Sequence, residues 1–463
     1  MSPNYDLIVI GAGPGGEKAA TLAAQHGLKV ALVEARSPGG TCLNRGCIPV
    51  KTLLHASELF REARDGGAIG IFAEGLCYDM PAIYRRKDEI LFGIRSNIEA
   101  MLASTKIDLI LGTAKILSAS EVAVSGSAGC SVLEGARILI ATGAAPAKPP
   151  IEGIDLPGVV TSDELLDNAV DYKSLVIIGG GVIGVELASF YSALGCAVTI
   201  IEAADRIIPN LDRELSQNLS LILKKRGVAI HTGCTVDKIT DSSGALSCHF
   251  SGKGGTEVIE TQGVLVSVGR RANTEGLFGE GFSVTTGRGI VVNDHFETSV
   301  KGIYAIGDVT EGSIQLAHAA SAQAQNVIAQ MLGSPPLVVL SVVPSCIYTS
   351  PEIASVGISQ EQAKANGLAV ITGKRPLSAN GKTIIERQER SFMKLTFDAD
   401  SAVLLGAQLM CSRASDLISE LASAIVNRLT LDQLASVVRP HPTFSEAVAE
   451  ALKDAQGRFA KLK

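Results

Sequence analysis

The run Gly39-Gly40-Thr41-Cys42-Leu43-Asn44-Arg45-Gly46-Cys47-Ile48-Pro49-Val50-Lys51 places two cysteines close together, with a lysine one helical turn beyond the second. Thiol–disulfide exchange needs a disulfide, an attacking thiolate and a base that makes the thiolate. Cys42 and Cys47 can supply the disulfide. A pair of buried thiols is the plainer alternative. Zinc is not expected, because no second cysteine or histidine pair stands at metal-ligand spacing, and no metal is expected at all. Near the other end, Pro440-His441-Pro442-Thr443-Phe444-Ser445-Glu446 offers a candidate base. A histidine with an ordinary pKa of about 6.5 can take and return a proton near neutrality. Glu446, near a helix start, can orient the ring and stabilise its charged form. Taken alone, a histidine between two prolines is more often a residue of a rigid turn.

These groups need a scaffold. The cysteine run follows Asp6-Leu7-Ile8-Val9-Ile10-Gly11-Ala12-Gly13-Pro14-Gly15-Gly16, in which an apolar strand enters G-x-G-x-x-G and a helix. Gly11 permits the tight turn, Gly13 lets backbone approach a pyrophosphate, and Gly16 lets helix pack on strand. The helix N-terminus offers N–H groups and a positive dipole end to phosphate. A second strand ends at Glu34, about 20 residues on, where a carboxylate can accept hydrogen bonds from a ribose diol. The unit then recurs. Leu175-Val176-Ile177-Ile178-Gly179-Gly180-Gly181-Val182-Ile183-Gly184 leads through a helix to Val198-Thr199-Ile200-Ile201-Glu202. The two copies share Leu7, Ile10, Gly11, Gly13, Gly16, Ala20, Gly27, Val30, Glu34 and Ala35 with their counterparts. Two dinucleotide sites suggest an electron path from one cofactor to the other.

A chain of 463 residues with 46% hydrophobic residues and 48 glycines can bury several cores and build many tight turns. A net charge of −6, with no basic run, argues against a nucleic-acid partner. The first residues lack a positive n-region, so no signal peptide is read and a cytoplasmic location is expected. No stretch approaches about 18 uninterrupted apolar residues, so no membrane span is expected. Of the nine cysteines only 42 and 47 are close in sequence, which is not a secreted disulfide framework. The others are expected to be small buried apolar residues.

The pattern predicts helices over 42–64 and 80–104, a short β-rich excursion over 115–133, and a strand ending at Ala141-Thr142-Gly143. The proline-rich stretch 144–150 reads as a connection. The second unit fills about 151–266. A strand-like run reaches Gly307-Asp308 before a helix over 313–332. Pro335-Pro336 marks a boundary. Beyond it come strands over 392–397 and 403–408 and a last helix over 444–454.

The cysteine run, Gly307-Asp308 and the His441–Glu446 segment, in this order along essentially the whole chain, resemble the pyridine nucleotide–disulfide oxidoreductases. The likeness is strongest to members that oxidise dihydrolipoamide. It implies an α/β fold with two Rossmann-like dinucleotide-binding domains plus a C-terminal α+β dimerisation domain. The expected division is 1–147 for FAD binding, 148–268 for NAD binding, 269–336 for the second part of the FAD-binding unit, and 337–463 for the interface. The resemblance implies FAD around Gly11, Gly13, Gly16, Glu34, Thr41, Lys51, Thr142, Gly143, Asp308 and Ala317, with Asp308 on the ribityl chain. It implies NAD around Gly179, Gly181, Gly184, Glu186, Glu202 and Gly269. Cys42 would be the interchange thiol, Cys47 would lie against the flavin, and His441 with Glu446 would be the base. Lys51 would stabilise thiolate and reduced flavin, with Glu186 as its ion-pair partner.

The implied activity is oxidation of protein-bound dihydrolipoamide to lipoamide with NAD+. The implied partners are a second copy of the chain, whose active site would receive the His441 segment, and a lipoyl-carrying protein of a 2-oxoacid dehydrogenase complex or glycine cleavage system. Departures are Val50, Ala272 and Arg439, where serine, proline and histidine are common. None removes a group that the chemistry requires. A glutathione- or mercuric-reductase-like activity is the nearest alternative. Against the mercuric one, the end Phe459-Ala460-Lys461-Leu462-Lys463 has no vicinal cysteines. A non-catalytic flavoprotein module is the alternative of another class.

Overall fold

The structure, a computed structural model, describes residues 4–461 apart from 128 and 243. Leu462 and Lys463, the last two residues of the cysteine-free end, lie outside the described residues. The apolar run Leu7–Ile10 is buried at every position and forms the centre of a parallel five-stranded sheet. Continuous rather than alternating burial is what a parallel sheet covered on both faces requires. The strand order is 303–305, 138–140, 7–10, 30–34, 107–111. Ile8 pairs with Ala31 on one side and Ile138 on the other.

The second unit repeats this plan. Its order is 229–232, 197–202, 174–178, 263–266, 159–161, again parallel, with Ile177 between Ile200 and Leu265. Each unit inserts a three-stranded antiparallel excursion before its returning strand. In the first it is 113–116, 121–126 and 129–134, as the sequence suggests. In the second it is 234–242, 245–252 and 255–261, which the sequence reading did not separate.

The third unit is an antiparallel sheet in the order 345–347, 352–357, 404–411, 392–398, 370–376. Helices Ala414–Val426 and Glu446–Phe459 bury Ile418, Leu421, Ala447, Val448 and Ala451 against it. No helix among the described residues is long and apolar enough to cross a membrane.

Three local expectations change. The helix expected over 42–64 is two helices, Gly40–Arg45 and Cys47–Arg64, broken at Gly46. The break separates the cysteines, so they face each other across a corner rather than along one helix. The 144–150 connection contains a short strand, Ala144–Pro146, paired with Arg270–Ala272. The helix expected over 313–332 begins at Ala317. Met80–Ser104 is helical as expected, capped by the Asp79 carboxylate, which accepts from the Ala82 N–H.

Candidate active site

The cysteine corner is built onto the first glycine loop. The Gly39 N–H donates to the Ala12 carbonyl at 2.8 Å. Gly40 sits at φ +56, and a Cβ there would stand 2.5 Å from Gly13 Cα. Only glycine allows that approach. The redox run thus abuts the segment that would hold a pyrophosphate. Asn44, which the sequence reading passed over, pins the corner: its amide donates to the carbonyls of Pro38 and Gly40, and Arg95 donates to its Oδ1.

Cys42 and Cys47 are thiols in this structure, joined by a hydrogen bond between their side chains rather than bridged. The bond from Cys42, followed by the Lys51 charge, brings Cys47 down to about 7 against the opposing effect of burial. The same bond, with burial, pushes Cys42 up. The two shifts run in opposite directions, so Cys47 is the more acidic member of the pair.

Lys51 lies on the helix that Cys47 starts. Its Nζ donates to both oxygens of Glu186, at 3.0 and 2.8 Å. Glu186 belongs to helix Val182–Ala193 of the second unit, and its side chain is only 3% exposed. A buried carboxylate needs such partners. A third bond reaches it from the Tyr348 backbone N–H at 2.9 Å.

The glycine triplets divide by what a side chain would meet. Gly11 and Gly179 have φ +102 and +106, and a Cβ on either would strike the carbonyl of Ala141 or Ser267. On Gly16 or Gly184 it would strike the carbonyl of Gly11 or Gly179. The middle glycines differ: a Cβ on Gly13 would meet only Gly40 Cα at 3.8 Å, and on Gly181 nothing. No protein atom demands glycine there, so the free space fits a ligand backbone. Glu34 accepts from the N–H groups of Ala12 and Arg36, each at 2.8 Å. Glu202 accepts from Gly180 and Ala204 at 2.6 and 2.7 Å.

The remaining predicted positions lie at the ends of neighbouring strands and helices. Thr142 and Gly143 follow the strand beside Gly11, and the Thr142 hydroxyl donates to the Asn273 carbonyl. Asp308 follows the neighbouring strand Ile303–Ala305 and accepts no hydrogen bond among the described residues. Burial raises its pKa, and Arg270 opposes this. An unpaired half-buried carboxylate there fits a hydroxyl-bearing ligand chain. Ala317 opens the helix packed on Gly15 and Gly307 through Ala320. Gly269, at φ +117, follows the strand beside Gly179. Arg270 donates to Thr41 Oγ1 at 3.4 Å and to the Ala144 carbonyl, linking the redox corner to the paired strands Ala144–Pro146 and Arg270–Ala272.

His441 stands apart from this assembly. Its Nδ1 is 2.8 Å from Glu446 Oε1, and Thr443 N–H donates to Glu446 Oε2. These bonds, that from Thr443 first, hold the Glu446 carboxyl below the usual range. Because the carboxylate only accepts, Nδ1 carries hydrogen and Nε2 is left as the base. The His441 side chain is 78% exposed, and no hydrogen bond joins it to either cysteine. Arg439 turns inward instead, its guanidinium tied to Glu420 and the Leu434 and Val437 carbonyls. Val50 is core. Cys196, Cys248 and Cys411 are buried as expected, but Cys77 and Cys130 are exposed, because they lie on a loop and on the outermost strand of the first excursion. No cluster of metal-ligating side chains is present among the described residues.

The sequence matches the model of the pyridine nucleotide-disulphide oxidoreductases over residues 5–324 and that family's dimerisation domain over 343–452. The chain belongs to this family. It is therefore an oxidoreductase and a flavoprotein, with FAD and NAD as its cofactors. Among curated relatives it is 38% identical to dihydrolipoyl dehydrogenase of Bacillus subtilis (strain 168), over 99% of each chain. It is 38% identical to dihydrolipoyl dehydrogenase 3 of Pseudomonas putida, over 98% of each. Among solved structures it is similar to the HOCl-induced flavoprotein disulfide reductase RclA from Escherichia coli in its Cu(II) complex (TM-score 0.87, 30% identity, 100% of both chains). It is also similar to LpdA from Mycobacterium tuberculosis (TM-score 0.89, 27% identity, 96% of this chain and 99% of that one).

Proposed function

We propose that this enzyme oxidises protein-bound dihydrolipoamide to lipoamide with NAD+ as acceptor, through a Cys42–Cys47 redox disulfide. The observation that carries this reading is the cysteine corner: a thiol pair of unequal acidity, seated on the first dinucleotide loop beside Lys51 and Glu186. The naming of its relatives as dihydrolipoyl dehydrogenases supports the substrate.

In the oxidised pair, a substrate thiol passes its proton through His441 Nε2 to solvent, its thiolate attacks Cys42 Sγ, and the Cys42–Cys47 bond breaks with Cys47 leaving as thiolate. Its charge is stabilised by the Lys51 ammonium. The second substrate thiol gives its proton to His441 Nε2 and attacks the substrate sulfur of the mixed disulfide. Cys42 leaves and takes that proton back. The substrate loses two electrons as its disulfide forms, and the cysteine pair holds them. FAD, when bound along Gly11–Gly16, Glu34 and Asp308, supplies two-electron transfer between Cys47 and NAD+. Lys51 and Glu186 fix the electrostatics of that side. Glu446 keeps the His441 ring oriented and accepts its developing charge.

No histidine or carboxylate among the described residues is hydrogen-bonded to Cys42, which supports a base supplied by a second subunit. The dimerisation domain provides the route. We place His441 and Glu446 in the active site of the second subunit of a homodimer, giving two composite sites. The division 1–147, 148–268, 269–336 and 337–463 gives one part to each duty. The lipoyl carrier belongs to a 2-oxoacid dehydrogenase complex or the glycine cleavage system, and the enzyme works in the cytoplasm.

A steady-state assay with dihydrolipoamide and NAD+ tests the reading. Turnover in the range of ordinary enzymes, about 1–10³ per second, supports it. Turnover confined to NADPH with glutathione disulfide would replace it with the reductase alternative.

A further inference from the structure

Three units meet at one cation. Lys51 comes from the redox helix, Glu186 from the second dinucleotide unit, and Tyr348 from the end of the strand Ser345–Ile347 in the interface unit. Lys51 Nζ lies 4.5 Å from the centre of the Tyr348 ring, within range of a cation–π attraction. The Tyr348 N–H donates to the same Glu186 oxygen that Lys51 bonds at 3.0 Å. Two residues on, Ser350 receives a bond from Arg61 of the redox helix at 2.8 Å. The 348–350 segment is therefore clamped between the redox helix and helix Val182–Ala193.

The ammonium is held on one side by a bidentate carboxylate and on another by a π face. Lys51 is a flexible four-carbon side chain, 30% exposed, and an ion pair alone would leave it several rotamers. The ring removes that freedom. The phenol hydroxyl takes no part in any of these contacts.

We propose that Tyr348 is a positioning residue that aims the Lys51 ammonium at Cys47 through its ring and its backbone N–H. The proposal rests on the reading of Cys47 as the thiolate that Lys51 stabilises. The charged and titratable groups acting on Cys47 are Cys42, Lys51 and Glu186, and Tyr348 also faces it; Tyr348 and Cys346 flank Lys51. Cys346 and Tyr348 are both pushed up by burial, Cys346 to about 11 and Tyr348 to about 12, so neither titrates near neutrality.

The test is the pH profile of Cys47 alkylation by iodoacetamide in the dithiol form of the FAD-loaded protein, read by peptide mass spectrometry. Tyr348→Phe keeps the ring and the N–H and is expected to leave the profile in place. Tyr348→Leu is expected to move its midpoint up by about one unit, lowering the rate at pH 7 roughly fivefold. Tyr348→Val gives a second ring-free side chain should the leucine variant not load FAD. Lys51→Met is expected to move the midpoint at least as far, and adding Tyr348→Leu to it should move it no further. A shift with Lys51→Met but none with the ring-free variants overturns the proposal and leaves the site reading standing. A further shift in the double variant also overturns it, because the ring would then act without Lys51. No shift with Lys51→Met would overturn the underlying reading.

Discussion

Glu34 and Glu202 make the same pair of hydrogen bonds in two copies of one unit. Each carboxylate ends the second strand of its unit and accepts an N–H from the glycine loop, Ala12 for Glu34 and Gly180 for Glu202. Each accepts another from two residues beyond itself, Arg36 and Ala204. Each carboxylate is fixed in place and keeps lone pairs for further donors.

The Glu202 geometry predicts the choice of nicotinamide. A 2′-phosphate beside this carboxylate would be repelled by roughly 1–4 kcal/mol at about 4 Å, which corresponds to roughly five- to thousandfold discrimination. Arg206 does not rescue it. Its guanidinium donates to the Pro209 carbonyl and lies near Asp205 and Glu361. NAD+ is expected to exceed NADP+ in kcat/KM, and Glu202→Ala should narrow the gap mainly by weakening NAD+. Equal kcat/KM values in the unmodified protein would refute this.

Cys47 sets a pH dependence. Its pKa lies below the ordinary thiol value, so the thiolate is present above about pH 7 and is lost as pH falls through that value. Alkylation of Cys47 in the dithiol protein should therefore rise with pH along a curve centred near 7. Cys42→Ser replaces the thiol donor with a hydroxyl and should keep that midpoint within about one unit, given the spread of such shifts. A midpoint near the free-cysteine value in both proteins would remove the assigned asymmetry.

His441→Gln should leave FAD bound and slow thiol oxidation by roughly 10²–10⁴-fold, the usual contribution of a placed acid–base group. A loss below about threefold would reduce it to a turn residue. Because Glu446 holds only Nδ1, Glu446→Gln should cost less than His441→Gln. Hybrid dimers of a His441 variant with a Cys42 variant should recover one working site. Verified hybrids without recovery would place both residues in one chain.

Much of this was legible beforehand because it is written in local sequence. The two glycine triplets, the acids at the strand ends and the cysteine run each declare themselves within a few residues. What stayed hidden depends on distant partners. The break at Gly46 was lost because flanking residues continue a helical pattern. Asn44 carries no chemistry of its own and matters only through Arg95 and the loop carbonyls. Tyr348 is one aromatic just past a short strand until folding brings Lys51 and Glu186 to it. Arg439 looked like a departure from a motif, and folding turned it into a buried tie.

The buried Lys394 is another long-range tie, joining the second and third units. Its Nζ lies 2.9 Å from Asp212 and 3.1 Å from Glu214, with side chains 8% and 4% exposed for Lys394 and Asp212. Asp212 also accepts from the Glu214 N–H at the start of helix Arg213–Lys225. Lys394→Met leaves Asp212 buried without its counter-charge and should destabilise the fold by about 3–5 kcal/mol. Denaturant unfolding would show this as an earlier transition. An unchanged midpoint would mean that water or Arg213 neutralises the acid.

The central claim is that Cys42 and Cys47 carry the electrons between substrate and cofactors. Differential alkylation of the FAD-loaded protein, before and after anaerobic addition of one equivalent of dihydrolipoamide, tests it most directly. Both cysteines are expected to be protected beforehand, to become alkylated after dihydrolipoamide, and to regain protection with NAD+. Cysteines that alkylate equally in all three states would contradict it.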